Sequence, residues 1–271
     1  MLSAPPFSLV ATDLDGTLLR RGDTVSARSR AALTRVSAAS ARHVVVTGRP
    51  APQVRHLLME IDYRGLAVCG QGAQVFDAGA GRLVSALTLD REIAEVALGK
   101  IEAEVGEVFA AVNQDGMDGL MLMEPGYEPS HPTLPAVRVG LRAALWDEPI
   151  NKVLVRHPWL GDDELVQVAR EVTDGLVTMT MAGPGTVELQ PLGVTKATGL
   201  ALAAEMWGVP AAATITFGDM PNDLPMFRWS GHGVAMANAH EELKAVADEV
   251  TSSNEEDGVA VVLERLFGQD G

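Results

Sequence analysis

The sequence predicts an α/β protein, with a doubly wound parallel sheet and a smaller α+β unit inserted into it. Three observations carry the prediction. Short apolar runs alternate with helix-period stretches at the start of the chain and again near its end. Each apolar run near the start gives way to a loop rich in Gly or charged residues, as at the carboxyl edge of a parallel sheet. Between the two regular parts lies a long stretch with a different rhythm. We therefore expect a Rossmann-like core made of residues 1–82 and 185–271, with a cap (lid) domain over residues 83–184.

The first strand is Phe7-Ser8-Leu9-Val10-Ala11-Thr12, which runs into Asp13-Leu14-Asp15-Gly16-Thr17-Leu18-Leu19. Ser26 is placed to N-cap a helix over Ala27–Ala39, with Leu33, Val36 and Ala32/Ala39 on one face. The β-branched run His43-Val44-Val45-Val46 ends at Thr47-Gly48-Arg49-Pro50. A helix after Pro50 (Val54, Leu57, Leu58, Ile61) leads to the run Leu66-Ala67-Val68-Cys69, which stops at Gly70-Gln71-Gly72. In the middle, strands are expected at Glu107–Val112, Leu120–Met123, Asn151–Val155 and Leu176–Met181. A helix is expected from Asp162 to Val172, and Glu124–Pro135 reads as a loop. Gly79, Gly81, Gly183 and Gly185 punctuate the two ends of this insert. The alternation resumes with Thr195 capping Lys196–Trp207 and a strand at Ala213–Phe217 that ends in Gly218-Asp219-Met220-Pro221-Asn222-Asp223. A helix through Phe227, a strand at Gly233–Met236 and helices near Glu241–Ala247 and Val259–Phe267 complete the pattern.

Composition narrows the classes of function. Of 271 residues 47% are apolar, enough for a substantial core. A formal net charge of −15 argues against nucleic acid or an anionic membrane as partner, because both require a basic surface. Any phosphate ligand must then be drawn in by local positive charge, and Lys is scarce. The single Cys69 cannot form an intrachain disulfide and reads as a small buried residue at a strand end. No apolar stretch approaches the ~18 residues that span a bilayer. The start lacks the basic-then-apolar order of a secretory leader, so a cytoplasmic protein is expected.

Asp13 and Asp15 are the first sign of chemistry. Alternate residues of an extended segment point the same way, so the two carboxylates would crowd one small volume. Like charges that close require a proton or a cation between them. A solvated Asp-Gly turn is the bland alternative. A calcium-binding EF-hand is excluded, since it needs Gly sixth and Glu twelfth, whereas here Gly is fourth and the twelfth residue is Thr24. Three further fragments share the expected strand edge or a helix start: Thr47-Gly48-Arg49, Lys196, and Asp219 with Asn222-Asp223. A lysine at a helix start is electrostatically unfavourable unless both face an anion. Together the fragments meet the needs of phosphoryl transfer: a carboxylate nucleophile, a second carboxylate to move a proton, oxygen ligands for a hard cation, and donors for phosphate oxygens.

In this combination, the DLDGTLL, TGR, Lys196 and GDMPND segments resemble motifs I to IV of the haloacid dehalogenase-like hydrolases. The resemblance is closest to the Cof-type phosphatases, which carry a large (type 2) cap between motifs II and III. It extends to Val187–Lys196 and to Gly233-Val234-Ala235-Met236-Ala237-Asn238-Ala239, Ala247-Asp248 and Asp257-Gly258-Val259-Ala260. It implies Asp13 as nucleophile, Asp15 as general acid/base, and Lys196 as the cation that neutralises the phosphoryl group and orients Asp13. It implies phosphate binding by Thr47, Gly48 and Asn222, and Mg2+ held by the carboxylates of Asp13 and Asp219 and the main-chain carbonyl of Asp15. Asp223 would support that metal through water or through Lys196. Arg49 would either touch substrate or pair with an acid on the rim.

The chain departs from the family pattern where Gln71-Gly72-Ala73 stands for the common Asn-Gly-Ala. The resulting expectation is a magnesium-dependent phosphatase acting on a small phosphate ester, such as a sugar phosphate or a flavin- or vitamin-type phosphate. It would work as a monomer or small homo-oligomer, with Tyr127 and His131 as candidate cap contacts. A phosphotransferase or mutase, and a non-catalytic phospholigand-binding regulator, are the alternatives.

Overall fold

The computed structural model describes residues 6–129, 135–183 and 185–268. Its first half alternates as the sequence predicts: β1 (Leu9–Thr12), α1 (Ala27–Ala38), β2 (Arg42–Val46), α2 (Ala51–Glu60) and β3 (Leu66–Cys69). β1 and β3 are buried along their whole length, because helices cover both faces of the sheet. Ser26 caps α1, its hydroxyl accepting from the Ser29 amide at 2.9 Å. Ala32 and Val36 of α1, and Val54, Leu57 and Leu58 of α2, supply the buried stripes. Each such Val or Leu contributes roughly 1.5–3 kcal/mol when fully buried, so these stripes rather than helix propensity fix the layers.

After β3 the chain makes two hairpin-linked strands, β4 (Gln74–Asp77) and β5 (Arg82–Ala86). The insert follows: α3 (Arg91–Val105), β6 (Phe109–Gln114), β7 (Met121–Met123), β8 (Ala136–Arg138), β9 (Ile150–Arg156), α4 (Asp162–Val172), β10 (Val177–Gly183) and β11 (Thr186–Pro191). The final part returns to the first sheet with α5 (Lys196–Met206), β12 (Thr214–Gly218), α6 (Leu224–Trp229), β13 (His232–Ala235), α7 (Glu241–Lys244), β14 (Glu249–Val250) and α8 (Gly258–Phe267).

Two sheets result. The eight-stranded one has the order β14-β13-β12-β1-β2-β3-β4-β5 and is parallel from β14 through β3. The last two strands run antiparallel. The chain moves outward from β1 in both directions, so the switch point lies between β1 and β12, at which sheets of this kind place their ligands. The six-stranded sheet has the order β10-β11-β9-β6-β7-β8 and is antiparallel except for the β7–β8 pair. Each sheet has its own apolar cluster, and a third small cluster of Ala111, Met121, Met123, Tyr127 and Leu154 lies on the opposite face of the second sheet.

Sheet membership corrects the expected changeover points. Position 83 falls inside β5, a strand of the first sheet, and β11 belongs to the second sheet, although 185 was expected to begin the return. By pairing, the exchanges come after Ala86 and after Pro191. Gly79 and Gly81 sit in the β4–β5 hairpin, and Gly183 and Gly185 flank the β10–β11 turn. All four mark turns inside a sheet, and a turn signal alone does not say which sheet its strands join. Among the described residues no helix is long and apolar enough to cross a membrane.

One close approach sets up the site. Gly72 has φ +104, and a Cβ there would sit 1.9 Å from the Thr195 carbonyl oxygen. A Cβ on Gly199 would in turn meet the Gly72 Cα at 2.8 Å. Two glycines thus let the start of α5 press onto the end of β3. Gly72→Ala combines a left-handed backbone with a backbone clash, and should cost about 3 kcal/mol or more in urea denaturation.

Candidate active site

Asp13 follows directly on β1, and its amide donates to the Phe217 carbonyl at 3.0 Å, locking the strand end to β12. The next residues coil in one wide turn closed by Leu19 N–H to the Leu14 carbonyl, 2.9 Å. Gly16, at φ +73, makes this possible, since a Cβ there would lie 2.2 Å from Asp219 Oδ2. Thr17 Oγ1 donates to Asp219 Oδ1 at 3.3 Å, and Asn238 Nδ2 donates to the Gly16 carbonyl at 2.8 Å.

The turn also corrects an expectation. Asp15 is not buried alongside Asp13 as strand alternation would have it, although its charge still acts on the Asp13 carboxylate. Asp13 is buried, whereas the Asp15 side chain is 52% exposed and is gripped by Arg49, whose Nε donates to Asp15 Oδ2 at 2.9 Å. The extended segment ends at Asp13, so the i, i+2 rule no longer applies two residues on. Arg49 also holds Asp23, with Nη1 to Oδ2 at 3.0 Å. Of its two expected roles, the structure places it in a pair with acids at the rim.

The carboxylates that crowd Asp13 come from the far end of the sequence. Lys196 Nζ donates to Asp13 Oδ1 and to Asp223 Oδ1, both at 2.6 Å, and all three side chains are at most 5% exposed. Asp223 Oδ2 accepts from the amides of Asp219 (2.9 Å) and Met220 (3.1 Å), which fixes the loop after β12. Gly218 must lack a side chain, because a Cβ would meet Asp223 Oδ2 at 2.5 Å. Lys196 sits in the first turn of α5, where the helix dipole disfavours a cation; its two carboxylates outweigh that cost. Thr195 N–H donates to Thr198 Oγ1 at 3.0 Å and ties the same turn.

Three buried carboxylates face one ammonium here. Oxygens of Asp13, Asp219 and Asp223 all lie within 4.8 Å of one another. Burial, opposed by Lys196 and reinforced by Asp223, pushes Asp13 up to about 7. Burial together with Asp13 and Asp223 pushes Asp219 up to about 9. Despite its own burial, Lys196 is raised above the ordinary lysine value by Asp13 and Asp223. Excess buried negative charge with hard oxygen donors fits a divalent cation of the magnesium kind. Both Asp223 oxygens are already engaged, which leaves Asp13 and Asp219 as the better donors.

Thr47 is buried at the end of β2, and its hydroxyl oxygen accepts from the Arg49 amide at 3.1 Å. Gly48 lies beneath Gln71, and a Cβ there would meet Gln71 Nε2 at 2.5 Å. Asn222 Nδ2 donates to Gln71 Oε1 at 3.0 Å, so the Asn222 amide nitrogen is committed to that side chain. Tyr127, one of the two expected cap contacts, is 2% exposed within the third apolar cluster. The other, His131, lies outside the described residues.

Several site residues escape sequence reasoning. Lys152 on β9 donates to the Gly48 carbonyl at 2.9 Å and pairs with Glu188 on β11. Gln71 Nε2 donates to Glu188 Oε2 at 2.8 Å, so Gln71 spans the gap between the sheets. Lysine scarcity is a usable signal for Lys152, since only four lysines occur and this one interrupts an apolar strand. Cys69 is fully buried, and burial drives its thiol well above the ordinary range, which fits a packing role.

A lysine clamped between carboxylates at the switch point of a parallel sheet, beneath a second sheet, suits an enzyme of phosphoryl transfer. The sequence model of the haloacid dehalogenase-like hydrolases matches residues 10–263, and the chain belongs to that family. A 5-amino-6-(5-phospho-D-ribitylamino)uracil phosphatase of Bacillus subtilis, YwtE, is 30% identical over 290 aligned residues, covering 95% of this chain and 97% of its own. YitU of the same organism, which bears the same enzyme name, is 30% identical over 271 residues, covering 96% and 97%. Among solved structures, a haloacid dehalogenase-like hydrolase from Bacteroides thetaiotaomicron matches with a TM-score of 0.76 at 26% identity, covering 96% of this chain and 100% of that one.

Proposed function

We propose that this protein is a magnesium-dependent phosphatase that hydrolyses a small phosphorylated metabolite through an aspartyl-phosphate on Asp13. The observation that carries the proposal is the Lys196 ammonium, 2.6 Å from both Asp13 and Asp223, with Asp219 beside them. The names of the Bacillus relatives support a phosphorylated polyol side chain as the substrate class.

An Asp13 carboxylate oxygen attacks phosphorus in line, and the bond from phosphorus to the ester oxygen breaks. Asp15 gives a proton to that departing oxygen, so the alcohol leaves neutral. To reach it, Asp15 swings off the grip of Arg49. Asp15 then takes a proton from water as the water attacks the acyl-phosphate, and inorganic phosphate and free Asp13 result. Lys196 fixes the Asp13 carboxylate and balances charge on the phosphoryl oxygens. Thr47 and the backbone around Gly48 hold the equatorial oxygens; Asn222 would join them once Gln71 releases its amide. The carboxylates of Asp13 and Asp219, with the Asp15 main-chain carbonyl, would hold Mg2+, which supplies charge neutralisation and keeps the nucleophile in line. The second sheet, as a cap, would exclude water and meet the organic part of the substrate.

Phosphate release from p-nitrophenyl phosphate, dependent on Mg2+ and stopped by EDTA, is the expected result; no release from it or from a broad panel of phosphate esters would sink the proposal. A second readout does not need turnover. Saturating Mg2+ at about 100 times its dissociation constant adds about 2.7 kcal/mol. For a chain of this size that is a rise of roughly 5–10 °C in melting temperature. In Asp219→Asn the rise should largely vanish.

A further inference from the structure

The core-facing side of the six-stranded sheet carries polar groups that this reaction scheme does not use. Asn113 on β6 is the cross-strand partner of Lys152 on β9, and Glu188 and Gln190 follow on β11, next to β9. Strand alternation puts all four on one face, and all four are buried. Met121, Met123, Tyr127 and Leu154 border them. The row reaches the phosphate end of the site through Lys152, whose Nζ donates to the Gly48 carbonyl at 2.9 Å.

Its charges are already matched. Lys152 pairs with Glu188, and Glu188 Oε2 also accepts from Gln71 at 2.8 Å and from Gln190 at 3.3 Å. Among the described residues, Lys152 and Lys196 are the only basic side chains less than 9% exposed, so the row holds no unmatched buried cation for a second anionic group. Two buried side-chain acceptors among the described residues, by contrast, are unmatched. Asn113 Oδ1 and Asn222 Oδ1 are buried with no hydrogen-bond partner. They stand at the two ends of one connected set, Asn222 to Gln71 to Glu188 to Lys152, with Asn113 the neighbour of Lys152 across the strands. Leaving a buried carbonyl unpaired costs more than the bond itself gains, so such atoms mark where a donor arrives.

We propose that Asn113 is a specificity-determining residue whose Oδ1 accepts a hydrogen bond from a hydroxyl or N–H of the leaving alcohol. The substrate class is then a neutral, hydroxyl-bearing phosphomonoester, favoured over one with an apolar tail or a further anion. This rests on the phosphatase reading above and adds the side of the pocket that chooses the alcohol.

The test compares kcat/KM for ribitol 5-phosphate and n-pentyl phosphate, which share a five-carbon chain and differ in hydroxyls. The parent enzyme should prefer the polyol ester by about tenfold or more. Asn113→Leu should bring the ratio to within about threefold, mainly through KM for the polyol ester, and Asn113→Asp, which keeps an acceptor, should retain the preference. Both esters are measured on one preparation, so loss of folded protein cancels from the ratio. A parent without preference overturns the inference. So does an Asn113→Leu enzyme that keeps the preference, as expected if an ordered water alone satisfies the amide. Absence of turnover on both esters and on p-nitrophenyl phosphate overturns the phosphatase reading instead.

Discussion

Asp13→Asn is expected to lower kcat by at least about 10⁴-fold, equivalent to roughly 5.5 kcal/mol of transition-state stabilisation, because the amide cannot form the acyl-phosphate. The fold should survive. Asp13 is buried beside Asp219 and Asp223, and burial already opposes its charge. An amide of equal shape removes one like charge and still offers Lys196 an acceptor. In metal-free buffer the variant should therefore melt at or above the parent temperature. Acid-quenched intact mass spectrometry gives the independent check: the parent under turnover should carry a phosphoryl adduct, and the variant none. An Asp13→Asn enzyme with more than about a tenth of parental activity would mean that the nucleophile lies elsewhere.

Lys196→Met combines a loss of activity with a loss of stability. The ammonium lies 2.6 Å from two carboxylates that are almost fully buried. Removing one partner of such a pair leaves uncompensated buried charge, at a cost of about 3–5 kcal/mol. Protonation is the remaining way to neutralise the buried Asp13 in the variant, so its folded-state pKa, already raised by burial, rises further above the unfolded one. An acid raised in this way weakens the fold as pH climbs and regains stability as pH falls, so the deficit should be larger near about pH 8 than near about pH 5. Asp223→Asn in the same background should recover part of the loss, giving a coupling energy of about 1–3 kcal/mol in a double-mutant cycle. kcat should fall by about 10³-fold or more, since charge on the phosphoryl oxygens is left unbalanced. Equal destabilisation at both pH values would show that Lys196 acts by packing and not by charge.

The two variants differ because the cluster has more acid than base. Deleting an acid relieves it, and deleting the base exposes it. The same imbalance underlies the expected response to magnesium and the lower cation response of Asp219→Asn.

Much of the core was legible from residue order. Apolar runs, a Ser N-cap and Gly-terminated strands follow local rules, and β1, α1, β2, α2, β3, α4 and α5 appear within a few residues of their expected bounds. Hydrophobic period does not single out β4 and β5, although Gly79 and Gly81 lie in the turn between them. Nor does it single out α3, and the sequence signal of β8 is only three exposed residues. The Asp13/Asp15 pair shows the limit of periodicity. Its spacing pointed to chemistry, but the buried carboxylates packed against Asp13 are Asp219 and Asp223, more than 200 residues away in sequence.

By itself the sequence determined the layered α/β pattern, the acids and Lys196 that suit phosphoryl transfer, and the resemblance that orders them. These are local or pairwise properties, set by hydrophobic period and by what each side chain can donate or accept. Tertiary structure alone decided that Asp15 turns out to Arg49 and that Gln71 bridges to Glu188. It also decided that the exchange between sheets falls after Ala86 and Pro191, and that Asn113 waits unpaired beside Lys152. Those outcomes depend on which surfaces meet and on which buried polar atoms remain once every neighbour has been paired, and no spacing along the chain encodes that remainder.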